Sequence, residues 1–411
     1  MYVRELELAQ FRCFDRERIE LQVPQSEREG SNVTLLLGNN GAGKSSILRA
    51  LALTTLCGII DQSGFVPRYL VRWSSERKDK QASLTATVEL TEQDAPGLTE
   101  DQRRVEQVEA RIVRRRDTER VEGPDELHGA WEGLYDEDAA SFLVLGYGAT
   151  RREDFSESFD PAAQRKHRSA RYQRVASLFE DQVALVPLRA WLPRASKDRR
   201  DEVIELINSL MPEAVRLLRP LQTNEHGDLI WLQDATMTPQ SALSDGYRGF
   251  IALIGDIVYQ LQKVAPRKTR LRELSGIVLI DEIDLHLHPS WQRVVAPTFA
   301  RVFPRLQFVM TTHSPIVTGT LRAQNIIVLE LARSSDEDSD GYPRVVAKRL
   351  HETVHGLNAD QILVSDYFGL STTRAPAAVD SQRELARRAA ADDKDAAVEF
   401  VRQLASGVRD S

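Results

Sequence analysis

One short stretch of the chain has the residue types and spacing of a phosphate-binding loop. Residues 38–45 read GNNGAGKS, which matches the pattern G-x-x-x-x-G-K-[ST]. Glycines allow backbone N–H groups to turn toward a phosphate, and the helix that follows adds the positive end of its dipole. Lys44 would reach the β- and γ-phosphates of a nucleotide, and the Ser45 hydroxyl would ligate Mg²⁺. The loop therefore predicts a nucleotide site.

Two adjacent carboxylates end a short apolar run later in the chain. The run Ile277 to Ile280 is followed directly by Asp281 and Glu282. A carboxylate at the tip of a buried strand, beside a phosphate loop, suits the Mg²⁺ shell of a nucleotide. A second carboxylate next to it can position and deprotonate an attacking water. Together with the loop, the pair favours a site that hydrolyses its nucleotide.

Two further polar positions have both a structural and a functional interpretation. Ser244 precedes an amphipathic run and could be an ordinary helix N-cap, or it could form a second phosphate-binding helix N-terminus with Gly246. His313 follows the apolar run 308–310, and a lone histidine is usually structural. Here the histidine follows a strand that ends at the sheet edge where the carboxylates are expected. That position would allow it to contact the γ-phosphate. The local pattern leaves both questions open.

A buried sheet is needed to bring these distant residues together. Short continuous apolar runs suit strands that are buried on both faces, and they occur at 33–37, 142–145, 277–280, 308–310 and 326–329. Residues 2–23 alternate apolar and polar side chains, which predicts an antiparallel hairpin before the loop. Strand patterns continue at 84–90 and 109–115, whereas residues 160–220 are predicted to be helical and the tail from residue 375 to form exposed helices. The fold class is therefore α/β.

Composition narrows the classes of protein. The chain has 411 residues, 42% of them hydrophobic, and a formal net charge of −7, which argues against a generally basic nucleic-acid coat. The two cysteines, Cys13 and Cys57, provide neither a disulfide framework nor metal-ligand spacing. We find no signal-peptide core and no apolar run of membrane-spanning length, so we expect a cytoplasmic protein that could meet a membrane only through a partner.

The order of the motifs resembles the ATP-binding head of ABC-type ATPases. GNNGAGKS, LSDGYR, IVLIDE, a DLHLHP loop and TTHSP follow one another along the chain. Within that class they are similar to the soluble SMC/RecF/OLD-like branch rather than to transporter subunits, over residues 1–60 and about 140–330. The resemblance implies a P-loop NTPase fold with an N-terminal antiparallel β lobe, a mostly parallel core sheet and an inserted helical lobe.

The resemblance also implies a role for each matching residue. Heads of this kind bind ATP with residues that here are Gly38, Asn39, Asn40, Gly41, Ala42, Gly43, Lys44, Ser45 and Ser46. In them Asp281 and Ser45 would hold Mg²⁺, Glu282 would be the catalytic carboxylate and His313 the switch histidine. In this family two heads sandwich two ATP molecules, so a second set of residues would act across a dimer. Ser244, Asp245 and Gly246 would contact the ATP of the opposite protomer. The loop from Asp284 to Pro289, with His288, would cross the dimer. Arg12, at an N-terminal strand turn, can lie near the nucleotide.

The sequence departs from the pattern of these heads at one place. They usually carry a glutamine after the strand that follows the loop helix, and no clear glutamine follows FLVLGYGATRR. Gln164 and Gln173 are the alternatives, and neither is favoured. His286 and His288 could suggest a metal site, but a dimer-crossing loop closed by Pro289 is the better interpretation.

One segment is locally basic. Residues 161–200 contain ten basic and three acidic side chains, although the whole chain has a negative net charge. Arg171 and Arg174 are two of the ten basic residues. Such an asymmetry would suit a DNA backbone, although an ordinary solvated helical face explains it equally well. We therefore expect DNA contact as one alternative only.

Three functional hypotheses follow. YGATRR, RYQRVASLF and WLPR look like stretches of short ATPases from bacterial antiphage systems, Septu-type and retron-linked, which would dimerise on ATP and control a partner nuclease or toxin. The alternatives are a RecF-like DNA repair ATPase without an effector and, more weakly, a transporter's nucleotide-binding subunit. We find no clustered carboxylates of a nuclease after His313, so we expect this chain to cut nothing itself. An effector is expected to dock on residues 375–411.

The motifs also predict a division of the chain. Residues 1–150 would form the β lobe and the phosphate-loop half of the head, and residues 151–242 the helical lobe. Residues 243–370 would form the half with the signature, the carboxylates and the histidine, and residues 371–411 a helical tail.

Overall fold

A computed structural model describes most of the chain. It describes residues 1–411 apart from 26–29, 61, 64, 74–80, 96, 98–103, 117, 124–128, 154–168, 182, 333–343, 375, 392 and 407–411. The described residues form two compact units, Met1–Leu357 and Asn358–Ser411. The boundaries expected at residues 150, 242 and 370 stay predictions.

The strands of the described residues fall into two large sheets and two small ones. They are β1 (Tyr2–Phe11), β2 (Phe14–Glu20), β3 (Val33–Gly38), β4 (Gln81–Leu90), β5 (Arg104–Arg115), β6 (Thr118–Glu122), β7 (Val144–Tyr147), β8 (Arg152–Glu153), β9 (Ala184–Leu185), β10 (Val215–Leu217), β11 (Ile230–Gln233), β12 (Thr236–Pro239), β13 (Gly276–Ile280), β14 (Leu306–Thr311), β15 (Ile326–Ala332) and β16 (Arg344–Lys348).

The α-helices of the described residues include several that are only one turn long. They are α1 (Lys44–Thr55), α2 (Cys57–Ile60), α3 (Ala170–Gln173), α4 (Leu188–Trp191), α5 (Lys197–Leu210), α6 (Asp245–Val264), α7 (Pro289–Gln292), α8 (Val295–Val302), α9 (Pro315–Thr318), α10 (Ala359–Leu363), α11 (Pro376–Ala390) and α12 (Lys394–Ser406).

A six-stranded sheet carries the motifs. Its order is β16-β15-β3-β14-β13-β7, and all neighbours pair in parallel except β16, which is antiparallel to β15. Every residue of β13 and β14 is buried, as are the first five of β3, because the apolar runs pack on both faces of the sheet. The predicted core strands are confirmed.

One of the predicted core strands starts later in the chain than expected. The apolar run 142–145 predicted a strand there, but β7 starts at Val144. Phe142 has a φ of 52°, which is incompatible with extended backbone, and its N–H donates to Asp94 Oδ1 at 2.7 Å. The pairing of β7 with β13 therefore begins two residues later than the hydrophobic pattern indicated.

A second large sheet is antiparallel and has five strands, two before β3 in the chain and three after it. Its order is β2-β1-β4-β5-β6, and Leu6 pairs with Ile19 in the hairpin of β1 and β2. Leu6, Leu8 and Ile19 are buried while their sequence neighbours are exposed or half-buried, as period-two alternation requires. The predicted hairpin and β lobe are confirmed.

The region between the two halves of the head is less helical than predicted. Within the described part of 160–220 it contains α3, α4 and α5, but also β9 and β10. Strands β10, β11 and β12 form a small antiparallel sheet, whose tight turn has positive φ at Asp234 and Ala235. These strands have three or four residues each, too few for alternation to reveal them.

The second unit consists of α10, α11 and α12, and α11 packs against α12. Arg388 and Asp393 form an ion pair at 2.7 Å across the turn between these two helices. The prediction of helices in the tail is confirmed. Among the described residues of the whole chain, no helix combines the length and the apolar content that a membrane crossing needs.

Candidate nucleotide site

The phosphate loop joins β3 to α1, and its glycines are required by its shape. Gly41 and Gly43 have φ values of 81° and 87°, in the left-handed region that glycine adopts without strain. A Cβ on Gly43 would lie 2.6 Å from Cys13 Sγ, and one on Gly38 would lie 2.6 Å from the carbonyl oxygen of Leu329. The first N–H groups of α1, from Lys44 on, lack intrahelical acceptors, so this end of the helix suits an anion.

Lys44 lies inside the loop and is almost fully buried. Its Nζ donates to the carbonyl oxygens of Gly38 at 2.7 Å and Asn39 at 3.1 Å. Burial lowers the pKa of Lys44 below the ordinary lysine value, while the negative charges of Asp281, Glu282 and Asp284 oppose that shift. The lysine and the carboxylates therefore share one electrostatic environment.

The hydroxyl of Thr311, at the end of β14, holds the two carboxylate residues. Its Oγ1 donates to Asp281 Oδ1 at 2.6 Å and accepts from the backbone N–H of Glu282 at 2.7 Å. Asp281 is 8% exposed, and Glu282 has a φ of 49°, a left-handed conformation that is strained for a residue other than glycine. Two neighbouring strands thus define the position of the predicted general base.

Arg151 is a third support of the same turn, and no sequence pattern predicted this role. Its Nη1 donates to the carbonyl oxygen of Asp281 at 2.5 Å, and its Nη2 donates to that of Glu282 at 2.8 Å. Burial lowers the pKa of Arg151 to about 10, so the guanidinium stays charged at neutral pH. The only available signal was the basic pair in YGATRR, where a glutamine was expected. Gln173 does not line the nucleotide cleft, and Gln164 lies outside the described residues.

A cleft of about 600 Å³ brings most of the predicted site residues together. The predicted residues that line it are Arg12, Asn40, Gly41, Gly43, Lys44, Ser45, Ser46, Asp281, Glu282 and His313. Side chains or backbone that were not predicted also line it: Cys13, Arg49, Tyr69, Val71 and Trp73. Gly38, Asn39 and Ala42 belong to the loop but do not line the cleft.

The turn that carries His313 is bonded to the loop that follows the carboxylates. His313 is exposed, and the hydroxyl of Thr312 before it donates to Asp284 Oδ1. Ser314 caps α9 and donates to Gln292 Oε1 at 2.6 Å, and Gln292 donates to the carbonyl oxygen of Leu287 at 2.9 Å. The neighbours of the histidine, Thr312 and Ser314, therefore connect its turn to the 284–289 loop.

The signature residues stand at the exposed N-terminus of α6 and do not line the cleft of their own chain. Ser244 has the ordinary N-cap role, since its Oγ accepts from the N–H of Tyr247 at 3.5 Å. Asp245 forms an ion pair with Arg248. A Cβ on Gly246 would lie only 2.4 Å from the carbonyl oxygen of His286, so α6 begins in contact with the 284–289 loop.

His286 and His288 have structural roles in the loop that precedes α7. His286 has a φ of 62°, and exposed His288 caps α7 by accepting from the N–H of Ser290 at 3.3 Å. Within the described ranges, no group of three or more His, Cys, Asp or Glu side chains could hold a metal by itself.

The residues present fit a magnesium ion that arrives with a nucleotide. Mg²⁺ is usually bound by one or two protein oxygens together with substrate phosphates. The hydroxyl of Ser45 and the carboxylate of Asp281 face the same cleft as Lys44 and supply such hard oxygen donors.

The basic segment 161–200 exposes fewer positive charges to solvent than its composition indicated. Arg171 and Arg174 are 1% and 7% exposed, and their guanidinium groups donate to backbone carbonyl oxygens. Arg171 alone bonds those of Ser141 at 2.8 Å and Phe142 at 3.0 Å. These two arginines are therefore part of the core and not of a DNA surface, whereas residues 161–168 lie outside the described part.

Comparison with known proteins identifies related chains. The model of a family described as "AAA domain, putative AbiEii toxin, Type IV TA system" matches residues 33–318. Septu protein PtuA of Bacillus mycoides (strain KBAB4) is 27% identical over 381 residues, which are 90% of this chain and 45% of that protein. The Retron Ec83 probable ATPase of Escherichia coli is 48% identical over 88 residues, 21% of this chain and 16% of that protein. The chain thus spans less than half the length of these curated relatives.

Among solved structures, the crystal structure of an SmcHead bound to the C-winged helix domain of ScpA is similar. It has a TM-score of 0.49 and 19% identity, over 85% of this chain and 98% of that one.

Proposed function

Because this chain belongs to the AAA-domain family described above for putative AbiEii toxins, we propose that it hydrolyses ATP and thereby controls a partner protein. The observation that carries the proposal is the single cleft that gathers Lys44, Ser45, Asp281, Glu282 and His313 from α1 and the ends of β13 and β14. Phosphate-binding, metal-binding and proton-accepting groups converge there, as hydrolysis of a nucleoside triphosphate requires.

Each group has a defined task in the proposed reaction. Lys44 and the α1 N-terminus neutralise the phosphates, and Mg²⁺ on Ser45 and Asp281 would supply further positive charge. The carboxylate of Glu282 accepts a proton from water as the water oxygen bonds the γ-phosphorus. The bond to the β,γ-bridging oxygen breaks, and ADP and phosphate leave. His313, which lines the same cleft, contacts the γ-phosphate.

We further propose that two copies of the chain close on two ATP molecules. The signature residues Ser244, Asp245 and Gly246 are away from the cleft of their own chain, and the α6 N-terminus is exposed. In a head-to-head dimer they would meet the γ-phosphate held by the other copy, with Asp284 and His288 at the crossing loop. Loss of the γ-phosphate would then remove these contacts and open the dimer.

The output of the switch is proposed to be a separate effector, a nuclease or toxin, in bacterial antiphage defence. The support is similarity to proteins named Septu PtuA and retron probable ATPase. The protein would act in the cytoplasm, and DNA remains a proposed ligand of the exposed part of residues 161–200, such as Arg194 and Lys197. The alternative is a RecF-like repair ATPase that has no effector.

Mass analysis of the Glu282→Gln protein, with and without ATP–Mg²⁺, tests the proposed switch. We expect a monomer without nucleotide and a dimer with it, because binding is retained while hydrolysis is stopped. An oligomer that does not respond to ATP would contradict the switch.

Duplex DNA binding at two salt concentrations, with and without a co-expressed partner, separates the two candidate functions. Salt-sensitive DNA binding without any stable partner would favour the repair ATPase, and a stoichiometric partner would favour the effector.

A further inference from the structure

Two large aromatic side chains lie exposed at the edge of the nucleotide cleft. Tyr69 is 77% and Trp73 is 73% exposed, and both line the cleft with Arg12. Exposed apolar groups that line a cleft commonly mark a binding site rather than a defect of packing. Neither residue is used by the chemistry proposed above, which takes place at the phosphate end.

The backbone that carries them is held in place from one side by a buried ion pair. Glu119 is 6% exposed, and its two carboxylate oxygens accept from the N–H groups of Leu70 at 2.7 Å and Val71 at 3.2 Å. Arg114 donates to the same carboxylate at 3.0 Å, and its guanidinium lies 5.5 Å from the centre of the Trp73 ring. The Arg114–Glu119 ion pair of the β lobe thus holds the backbone of the segment from Tyr69 to Trp73 in place.

The other side of the segment is bonded to the turn between β1 and β2. The N–H of Arg12 donates to the carbonyl oxygen of Leu70, and the N–H of Arg72 donates to that of Gln10, both at 2.8 Å. Arg72 Nη1 also donates to the carbonyl oxygen of Cys13 at 2.9 Å. Cys13 contacts the phosphate loop at Gly43, so the segment and the loop are positioned by the same turn.

We propose that Tyr69 and Trp73 form a stacking platform for the purine base of the nucleotide whose phosphates the loop binds. The base needs a flat, apolar surface in the cleft that holds the phosphates, and these two exposed rings line that cleft together with Lys44. Because hydrogen bonds hold the backbone of this segment on both sides, less backbone entropy is lost when a base stacks on its rings. Stacking tolerates different bases, so we expect little preference between ATP and GTP and weaker binding of pyrimidine nucleotides. This inference rests on the proposed function.

Calorimetric titrations of ATP–Mg²⁺ and of inorganic tripolyphosphate–Mg²⁺ test the platform. The variants are Tyr69→Ala, Trp73→Ala and their phenylalanine counterparts, with Val66→Ala as control, because Val66 is 62% exposed yet does not line the cleft. We expect the two platform alanine variants to weaken ATP binding about 5- to 100-fold without changing tripolyphosphate binding. The phenylalanine and Val66 variants should bind both ligands like the wild type.

The other outcomes would overturn the platform in distinguishable ways. Unchanged ATP affinity in both alanine variants would exclude stacking on these rings. Equal weakening of ATP and tripolyphosphate would mean that the rings only maintain the loop. Lost ATP-dependent dimerisation at unchanged ATP affinity would assign the rings to a second copy of the chain. If the wild type bound neither ligand, the proposed function itself would fail.

Discussion

Replacing Glu282 by glutamine keeps the size of the side chain and removes the carboxylate that would accept the proton of water. We expect phosphate release to fall about 10²- to 10⁴-fold, the usual contribution of a general base, while ATP affinity stays within a few-fold of wild type. Phosphate release and nucleotide binding measured on the same preparation check both parts. Lys44→Ala is the contrasting variant, since it should lose nucleotide binding. Hydrolysis at the wild-type rate in Glu282→Gln would exclude this base.

Arg151 acts, in our interpretation, by positioning Glu282 and Asp281 through their backbone oxygens. Arg151→Met should therefore lower kcat by about ten- to a hundredfold and change KM little, because small displacements of reacting groups are costly. Arg151→Lys should recover part of the rate, since lysine keeps the charge but not the fork of donors. Arg216→Met, on an exposed position of β10, is the control. A change in KM alone would mean that Arg151 binds nucleotide instead.

Among the elements, α6 begins with two glycines that differ in their surroundings. A Cβ at Gly246 would meet the carbonyl oxygen of His286 at 2.4 Å, whereas a Cβ at Gly249 would meet nothing within 4 Å. Gly246→Ala should displace the start of α6 from the 284–289 loop and reduce ATP-dependent dimerisation and hydrolysis. Gly249→Ala should raise the melting temperature, because alanine is favoured in helices by about 1 kcal/mol. Equal behaviour of the two variants would contradict this contact.

A buried carboxylate joins α6 to β7 and predicts a pH dependence of stability. Asp256 Oδ2 accepts from the Tyr147 hydroxyl at 2.9 Å, and burial raises the pKa of Asp256. Because the pKa of Asp256 is higher in the folded than in the unfolded protein, this carboxyl group contributes fully to stability below its unfolded-state pKa. The contribution is lost as the pH rises through its folded-state pKa. The wild type should therefore lose stability between these two pKa values, whereas Asp256→Asn should not. The melting temperature of the variant minus that of the wild type should rise with pH over this range. The control is the exposed Thr236→Ser, which removes no ionisable group and should show no such trend.

The elements also show why the sequence predicted some features and missed others. The hairpin of β1 and β2 and the buried core strands follow from local hydrophobic patterns, and the phosphate loop follows from residue spacing. Arg151 was missed because its contact with Asp281 joins residues 130 positions apart. The burial of Arg171 was missed because a count of charges does not indicate which way a guanidinium points. The three-residue strand β10 was too short to show a period.

At the scale of the whole molecule, the tail offers a surface for the proposed effector. Val398 and Val401 lie one turn apart on α12 and are 61% and 63% exposed. We expect the double change of both valines to aspartate to abolish capture of the effector in a pull-down while ATP hydrolysis continues at the wild-type rate. The parallel deletion of residues 375–411 should have the same effect. Effector capture that survives the deletion would place the docking surface elsewhere.

Three consecutive residues, the last of β14 and the two that follow it, connect separate parts of the candidate site. Thr311 holds both carboxylate residues, Thr312 holds Asp284 of the 284–289 loop, and His313 lines the cleft. A displacement of this strand end would therefore displace the carboxylates, the 284–289 loop and the histidine together. If the chain hydrolyses ATP as we propose, one substitution there would change both how tightly the nucleotide is held and how fast water is activated.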